Sequence, residues 1–203
     1  MSKMNLPNRL TLIRIMMTPI YAVFMAYPLF GSGEVRENIC KLIAGIIFGI
    51  AAYTDFLDGN IARKRGIVTN FGIFLDPLAD KFLIFTAHIA LIFSDYIIPH
   101  GTLFYHIFFW CSLIIIFREL AITSMRLVTV NASGVVVAAN WLGKVKTVTQ
   151  IVCIVTVILE SILLPDLFGG IRIFGILTVV TATVMTVWSG INYLIAYWDC
   201  LKQ

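Results

Sequence analysis

The chain has 203 residues, of which 60% are hydrophobic and 13% charged, with a formal net charge of +4. Soluble domains carry roughly 45–50% apolar and about 25% charged residues, so this composition excludes an ordinary water-soluble domain and fits one helical membrane domain over residues 1–203. Cys40, Cys111, Cys153 and Cys200 form no CxxC pair and His88, His100 and His106 no HExxH motif, which excludes a zinc ribbon, a thioredoxin-like site and a zinc protease.

A membrane-crossing helix needs about 20 mostly apolar residues, and six stretches qualify. The first, Leu10–Phe30, follows Lys3 and Arg9 as a signal peptide would. Pro19 and Pro28 interrupt it and no A-x-A site ends it, so it reads as a retained helix. Ile39–Arg63 comes after the Gly31-Ser32-Gly33 break, and Phe71–Ser94 after Arg65-Gly66. Thr102–Val128 follows Pro99-His100-Gly101. Asn140–Leu164 follows Asn131-Ala132-Ser133-Gly134, and Ile171–Tyr197 follows the break from Pro165 to Gly170. The expected fold is therefore all-α, a six-transmembrane-helix bundle.

Lys and Arg set the orientation of such a bundle, because they are retained on the cytoplasmic side. With six alternating spans and the N-terminus inside, twelve of the 15 basic residues fall inside; Arg36, Lys41 and Arg172 fall outside. Both termini are expected in the cytoplasm. Asp55, Asp58, Arg63, Asp76, Asp80, Lys81, Arg118 and Glu119 lie within or at the ends of apolar spans, on their cytoplasmic halves. A charge at the bilayer centre costs at least about 2.5–3.5 kcal/mol, so such groups face a cavity or one another. A polar active-site cavity open to the cytoplasm follows as an expectation.

The acidic residues carry the chemistry. Asp55 and Asp58 are three apart and Asp76 and Asp80 four apart, spacings that put each pair on one helix face. The short break around Arg65–Asn70 lets the two helices run antiparallel, with four carboxylates converging. At neutral pH such a cluster must be partly protonated or neutralised by cations. Oxygen-only ligands suit hard ions such as Mg²⁺, Mn²⁺ or Ca²⁺, and four of them suffice to bridge two ions about 3.5–4 Å apart, as in phosphoryl-transfer sites. Gly59 and Gly72 clear space beside the acids, for a ligand's close approach or for tight helix packing. Arg63 adds a cation suited to a diphosphate, or anchors the helix end.

The string D-x2-D-G-x2-A-R-x8-G-x3-D-x3-D, at Asp55, Asp58, Gly59, Ala62, Arg63, Gly72, Asp76 and Asp80, resembles the signature of the CDP-alcohol phosphotransferase family. The resemblance implies six transmembrane helices and a homodimer in the bacterial cell membrane. It implies two divalent ions, Mg²⁺ or Mn²⁺, on Asp55, Asp58, Asp76 and Asp80, with Asp80 also the general base. It implies that Asp58, Gly59, Ala62, Arg63 and Gly72 line the site for CDP-diacylglycerol. Asn8-Arg9-Leu10-Thr11-Leu12-Ile13-Arg14 with Pro19, Arg118-Glu119-Leu120, and the segment from Gly143 to Gln150 resemble the branch whose acceptor is glycerol 3-phosphate. Arg118, Lys144 and Lys146 are good phosphate partners by chemistry and are expected to hold that acceptor, with Glu119 orienting a nearby cation. No contact is assigned to the sixth span. Expected partners are the two substrates, membrane lipids and a second copy of the chain, with no nucleic acid. The alternatives are another acceptor alcohol (inositol phosphate, serine or a phospholipid) or a divalent-cation transporter. No polar path crosses the outer halves of the spans, which weighs against transport.

Overall fold

The computed structural model describes residues 6–31, 33–65, 70–133, 141–164 and 171–201, with side chains at 55–65, 70–77, 80, 127–128, 130–133, 197–201 and the first three positions of the first helix outside the description. The described residues form six α-helices and no strand: α1 Leu6–Ala26, α2 Glu34–Arg65, α3 Asn70–Phe93, α4 Leu103–Ser133, α5 Trp141–Leu163 and α6 Ile173–Leu201. Each of the six expected stretches corresponds to one of these helices, with ends shifted by a few residues. Four of them, in α1, α4, α5 and α6, are long and apolar enough to cross a membrane, while the described part of α3 gives a shorter apolar stretch, Lys81–Phe93. Large apolar side chains stand on the helix surfaces, Phe117, Trp110 and Leu177 among them, as expected where the surrounding solvent is lipid.

Helix is the form that lets an apolar segment bond all its backbone groups internally. Hydroxyls inside these helices do the same with their own turn. Thr123 Oγ1 donates to the Glu119 carbonyl at 2.7 Å, and Thr183 Oγ1 to the Val179 carbonyl at 2.8 Å.

The ends follow local chemistry. The first helix stops at Ala26, four residues short of the expected Phe30, because Pro28 has no N–H to give the Phe24 carbonyl and disfavours helix at Tyr27. That carbonyl accepts instead from the hydroxyl of Tyr96. Gly31 and Gly33 then take φ of 92° and 129°, a region open to glycine. The Thr102 hydroxyl caps α4, accepting from the Tyr105 N–H at 3.1 Å. At its other end α4 runs to Ser133, five residues beyond the expected Val128.

The described residues divide into two compact units, one within Met1–His100 and Val157–Pro165, the other within Gly101–Thr156 and Asp166–Gln203. In the first, α1 packs on α2 and α3. Tyr21 is fully buried; its hydroxyl donates to the Leu83 carbonyl at 2.5 Å and its ring meets Phe48 edge-on, centroids 5.8 Å apart. Gly45 lets α2 close on Ile158, whose Cγ2 lies 3.4 Å from where a Cβ would stand. Lys41, one of the three cations expected outside, is buried there. Its Nζ donates to the Ser161 carbonyl at 3.3 Å, in the last turn of α5, where a cation suits the helix dipole. Cys40, Cys153 and His88 are buried, in keeping with packing roles. In the second unit α4 packs on α6, around Phe108, Ile115, Ile122 and Val179.

Candidate functional site

The aspartates lie on two consecutive helices. Asp55, Asp58, Gly59, Ala62 and Arg63 belong to the last part of α2, and Gly72, Asp76 and Asp80 to the first half of α3. The backbone is thus helical through both pairs, as their three- and four-residue spacing requires. Their side chains fall outside the described residues. Among the described residues no cluster of three or more His, Cys, Asp or Glu is placed to hold a metal ion.

The second unit holds a polar hub. Glu119 on α4 is 5% exposed. Its Oε1 accepts from Arg118 Nη1 at 3.0 Å and from Lys146 Nζ of α5 at 2.5 Å. Gln150, one turn after Lys146, lies with Nε2 3.5 Å from the same oxygen and donates to Thr186 Oγ1 of α6 at 2.9 Å. Arg118 Nη2 donates to Ser189 Oγ of α6 at 3.1 Å. The hub therefore ties together α4, α5 and α6 inside apolar surroundings.

Electrostatics explains its composition. Burying a charge without a partner is prohibitive, whereas a hydrogen-bonded pair is tolerated. The side chains of Arg118 and Lys146 are 11% and 13% exposed, so both cations need Glu119. Two cations share one carboxylate oxygen. A guanidinium and an ammonium held side by side are suited to an anion such as a phosphate monoester.

Of the three residues expected to hold an acceptor phosphate, the structure brings Arg118 and Lys146 together. Lys144 stands exposed on α5, two positions from Lys146, a spacing that turns it off the hub's face. Arg118 lies at the middle of α4, since that helix continues to Ser133. One and two turns further on, Ile122 packs on Tyr193, and the Arg126 guanidinium lies 5.4 Å from that tyrosine's ring centroid. The Tyr193 hydroxyl in turn reaches Gly143 of α5, 3.4 Å from where a Cβ would stand.

Sequence reasoning assigned nothing on α6, yet Thr186, Ser189 and Gly190 complete the hub. The signal was present: small or hydroxyl-bearing residues at i, i+3 and i+4 in an otherwise apolar helix mark a face that meets polar groups on neighbouring helices. Gln150 sits one turn from Lys146 and could have been found by the same spacing.

Comparison with known proteins bears on both regions. A family model described as CDP-alcohol phosphatidyltransferase matches residues 4–194. A protein of Bacillus subtilis strain 168, named CDP-diacylglycerol–glycerol-3-phosphate 3-phosphatidyltransferase, is 41% identical over 202 residues, covering 98% of this chain and 97% of its own length. A probable phosphatidylglycerophosphate synthase of Mycobacterium tuberculosis is 34% identical over 191 residues, 94% of this chain and 80% of its own. A Salmonella typhimurium protein with the same name as the Bacillus relative is 32% identical over 196 residues, 95% of this chain and 94% of its own.

Proposed function

Because this chain belongs to the CDP-alcohol phosphatidyltransferase family, we propose that it transfers the phosphatidyl group of CDP-diacylglycerol to glycerol 3-phosphate, releasing CMP, in the synthesis of phosphatidylglycerol and cardiolipin. One observation carries the choice of acceptor: the buried Arg118–Glu119–Lys146 hub brings a guanidinium and an ammonium together on one carboxylate, a pair of cations fit for a phosphate monoester. A phosphate monoester brings a dianion to those two cations, where serine brings a single carboxylate beside its own ammonium. The names of the relatives over nearly the whole chain point the same way.

On this reading residues 1–203 form one membrane domain with six spans. At about 1.5 Å per residue the 32 residues of α2 run well past the ~30 Å of hydrocarbon, so the Asp55–Arg63 stretch reaches the interface. The excess of Lys and Arg supports placing that end, both termini and the active-site cavity on the cytoplasmic side of a bacterial cell membrane. The protein works as a homodimer among membrane lipids.

Asp55, Asp58, Asp76 and Asp80 would hold the divalent ions on which this family generally depends. An all-carboxylate donor set fits Mg²⁺ or Mn²⁺, two per site, rather than a softer metal. When bound, the ions neutralise charge on the diphosphate and on departing CMP. Asp58, Gly59, Ala62, Arg63 and Gly72 receive the cytidine diphosphate, while the acyl chains remain in lipid. Arg118 and Lys146 hold the acceptor phosphate, with Lys144 drawing the anion in from the cytoplasm. Asp80 removes the proton from the primary hydroxyl as its oxygen attacks the phosphorus that bears diacylglycerol. The bond from that phosphorus to the CMP oxygen breaks, and the leaving phosphate carries off the charge. General-base help is worth about 10²–10⁴-fold, and positioning of two bound substrates supplies much of the rest.

Purified protein in detergent, given CDP-diacylglycerol, glycerol 3-phosphate and Mg²⁺, should release CMP in step with phosphatidylglycerophosphate. Divalent-cation flux in reconstituted vesicles without CMP release would establish the transporter reading instead.

A further inference from the structure

The hub has a feature that the acceptor reading does not use. Among the described residues the buried Arg118 Nε finds no acceptor, and the arginine side chain lies against Gly190 of α6. A Cβ built at residue 190 would stand 2.7 Å from Arg118 Nε, 3.2 Å from Cγ and 3.5 Å from Cδ. No other described glycine has a neighbour inside 3.0 Å of that point. Gly190 is an ordinary helical residue, with no positive φ to require it. Its missing side chain is therefore explained by the arginine that fills the space. The residue before it, Ser189, is 1% exposed and takes the Nη2 hydrogen bond. Glu119 fixes Nη1 from the opposite side. Three contacts, two of them on α6, thus hold a long and otherwise rotamer-rich side chain in one place.

We propose that Ser189 and Gly190 are positioning residues for the acceptor subsite: through them α6 sets where the Arg118 guanidinium meets the phosphate of the incoming alcohol. The proposal rests on the reading of Arg118 as a phosphate-holding residue. A planar guanidinium binds phosphate well only in the right orientation, so displacing it should weaken the acceptor and spare the nucleotide lipid. Space for that displacement exists. A groove of about 580 Å³ lined by Phe117, Arg118, Ile122, Val187, Gly190 and Leu194 adjoins the arginine. An added methyl at 190 would push the side chain toward it while leaving α4 and α6 in contact.

The test is a double-mutant cycle on the purified full-length chain, reading KM for glycerol 3-phosphate, KM for CDP-diacylglycerol, and kcat. Gly190→Ala should raise the acceptor KM about tenfold, the size expected for one charge-assisted hydrogen bond, with the CDP-diacylglycerol KM within about twofold of the parent. In an Arg118→Ala background the same substitution should add nothing, because the residue it displaces is gone. Ser189→Ala, which adds no volume, should give a smaller rise that also vanishes without Arg118; it decides the question alone if Gly190→Ala does not fold. Additive effects of Gly190→Ala and Arg118→Ala, or equal rises in both KM values, would overturn the positioning role while leaving Arg118's own role intact. An Arg118→Ala variant with an unchanged acceptor KM would instead remove the reading on which the proposal rests.

Discussion

Replacing Glu119 by glutamine keeps the shape of the hub and removes the negative charge that Arg118 and Lys146 share. Glu119 Oε1 is the shared acceptor for Arg118 at 3.0 Å and Lys146 at 2.5 Å. The three side chains are 7%, 11% and 13% exposed respectively, so water cannot replace the lost counter-ion. Breaking a buried pair by removing one partner costs about 3–5 kcal/mol, because the surviving charge is left uncompensated. The substitution takes this carboxylate from both cations at once, which places the effect within that range. For a chain of this length about 1 kcal/mol moves the melting temperature by roughly 2–4 °C, so Glu119→Gln should melt about 6–20 °C below the parent in the same detergent. An anion that occupies the hub supplies the missing charge, so glycerol 3-phosphate should raise the variant's melting temperature more than the parent's. Thermal unfolding of both proteins, with and without glycerol 3-phosphate, measures all four quantities. Melting within about 2 °C of the parent, with no added response to the acceptor, would refute the claim that this carboxylate holds two buried cations together.

Three further outcomes are expected. Asp80→Asn should lower turnover by at least about 10²-fold, the contribution of a general base, while CDP-diacylglycerol still binds; normal turnover would take the proton-transfer role from Asp80. Chelation of divalent ions should abolish CMP release, and Mg²⁺ or Mn²⁺ should restore it in the parent but far less in Asp55→Ala or Asp76→Ala, with ion binding by calorimetry as the independent readout. Tyr96→Phe should destabilise the protein by about 1–3 kcal/mol in thermal unfolding, since the Phe24 carbonyl left by Pro28 loses the hydroxyl that satisfies it; an unchanged melting temperature would show that carbonyl to be bonded in some other way.

The six helices were legible because apolar runs and breakers are local signals. Pro99-His100-Gly101 separates α3 from α4 as expected, with φ of 79° at Gly101, and Gly31 and Gly33 bracket the turn before α2. The end of α1 was misjudged for a reason in the sequence itself. Pro28 was read as an interruption inside a span, whereas its missing N–H ends the helix and hands the Phe24 carbonyl to a tyrosine sixty-eight positions on from that proline. Such long-range compensation has no periodic signature. The candidate site divides in the same way. The aspartate string declares itself through spacing along two adjacent helices. The acceptor hub does not, because its members are scattered over α4, α5 and α6 and meet only once those helices pack. Arg118 stands out in the sequence as an intramembrane cation and Lys146 as a phosphate partner by its chemistry; Gln150, Thr186, Ser189 and Gly190 become visible through their contacts.

The choice of acceptor is most directly tested by turnover of the purified protein with CDP-diacylglycerol and Mg²⁺ against a panel of glycerol 3-phosphate, inositol phosphate, serine and phosphatidylglycerol. CMP release with glycerol 3-phosphate, and little with the others, is the expected result. Release with another alcohol but none with glycerol 3-phosphate would contradict the reading of the Arg118–Glu119–Lys146 hub as its phosphate site.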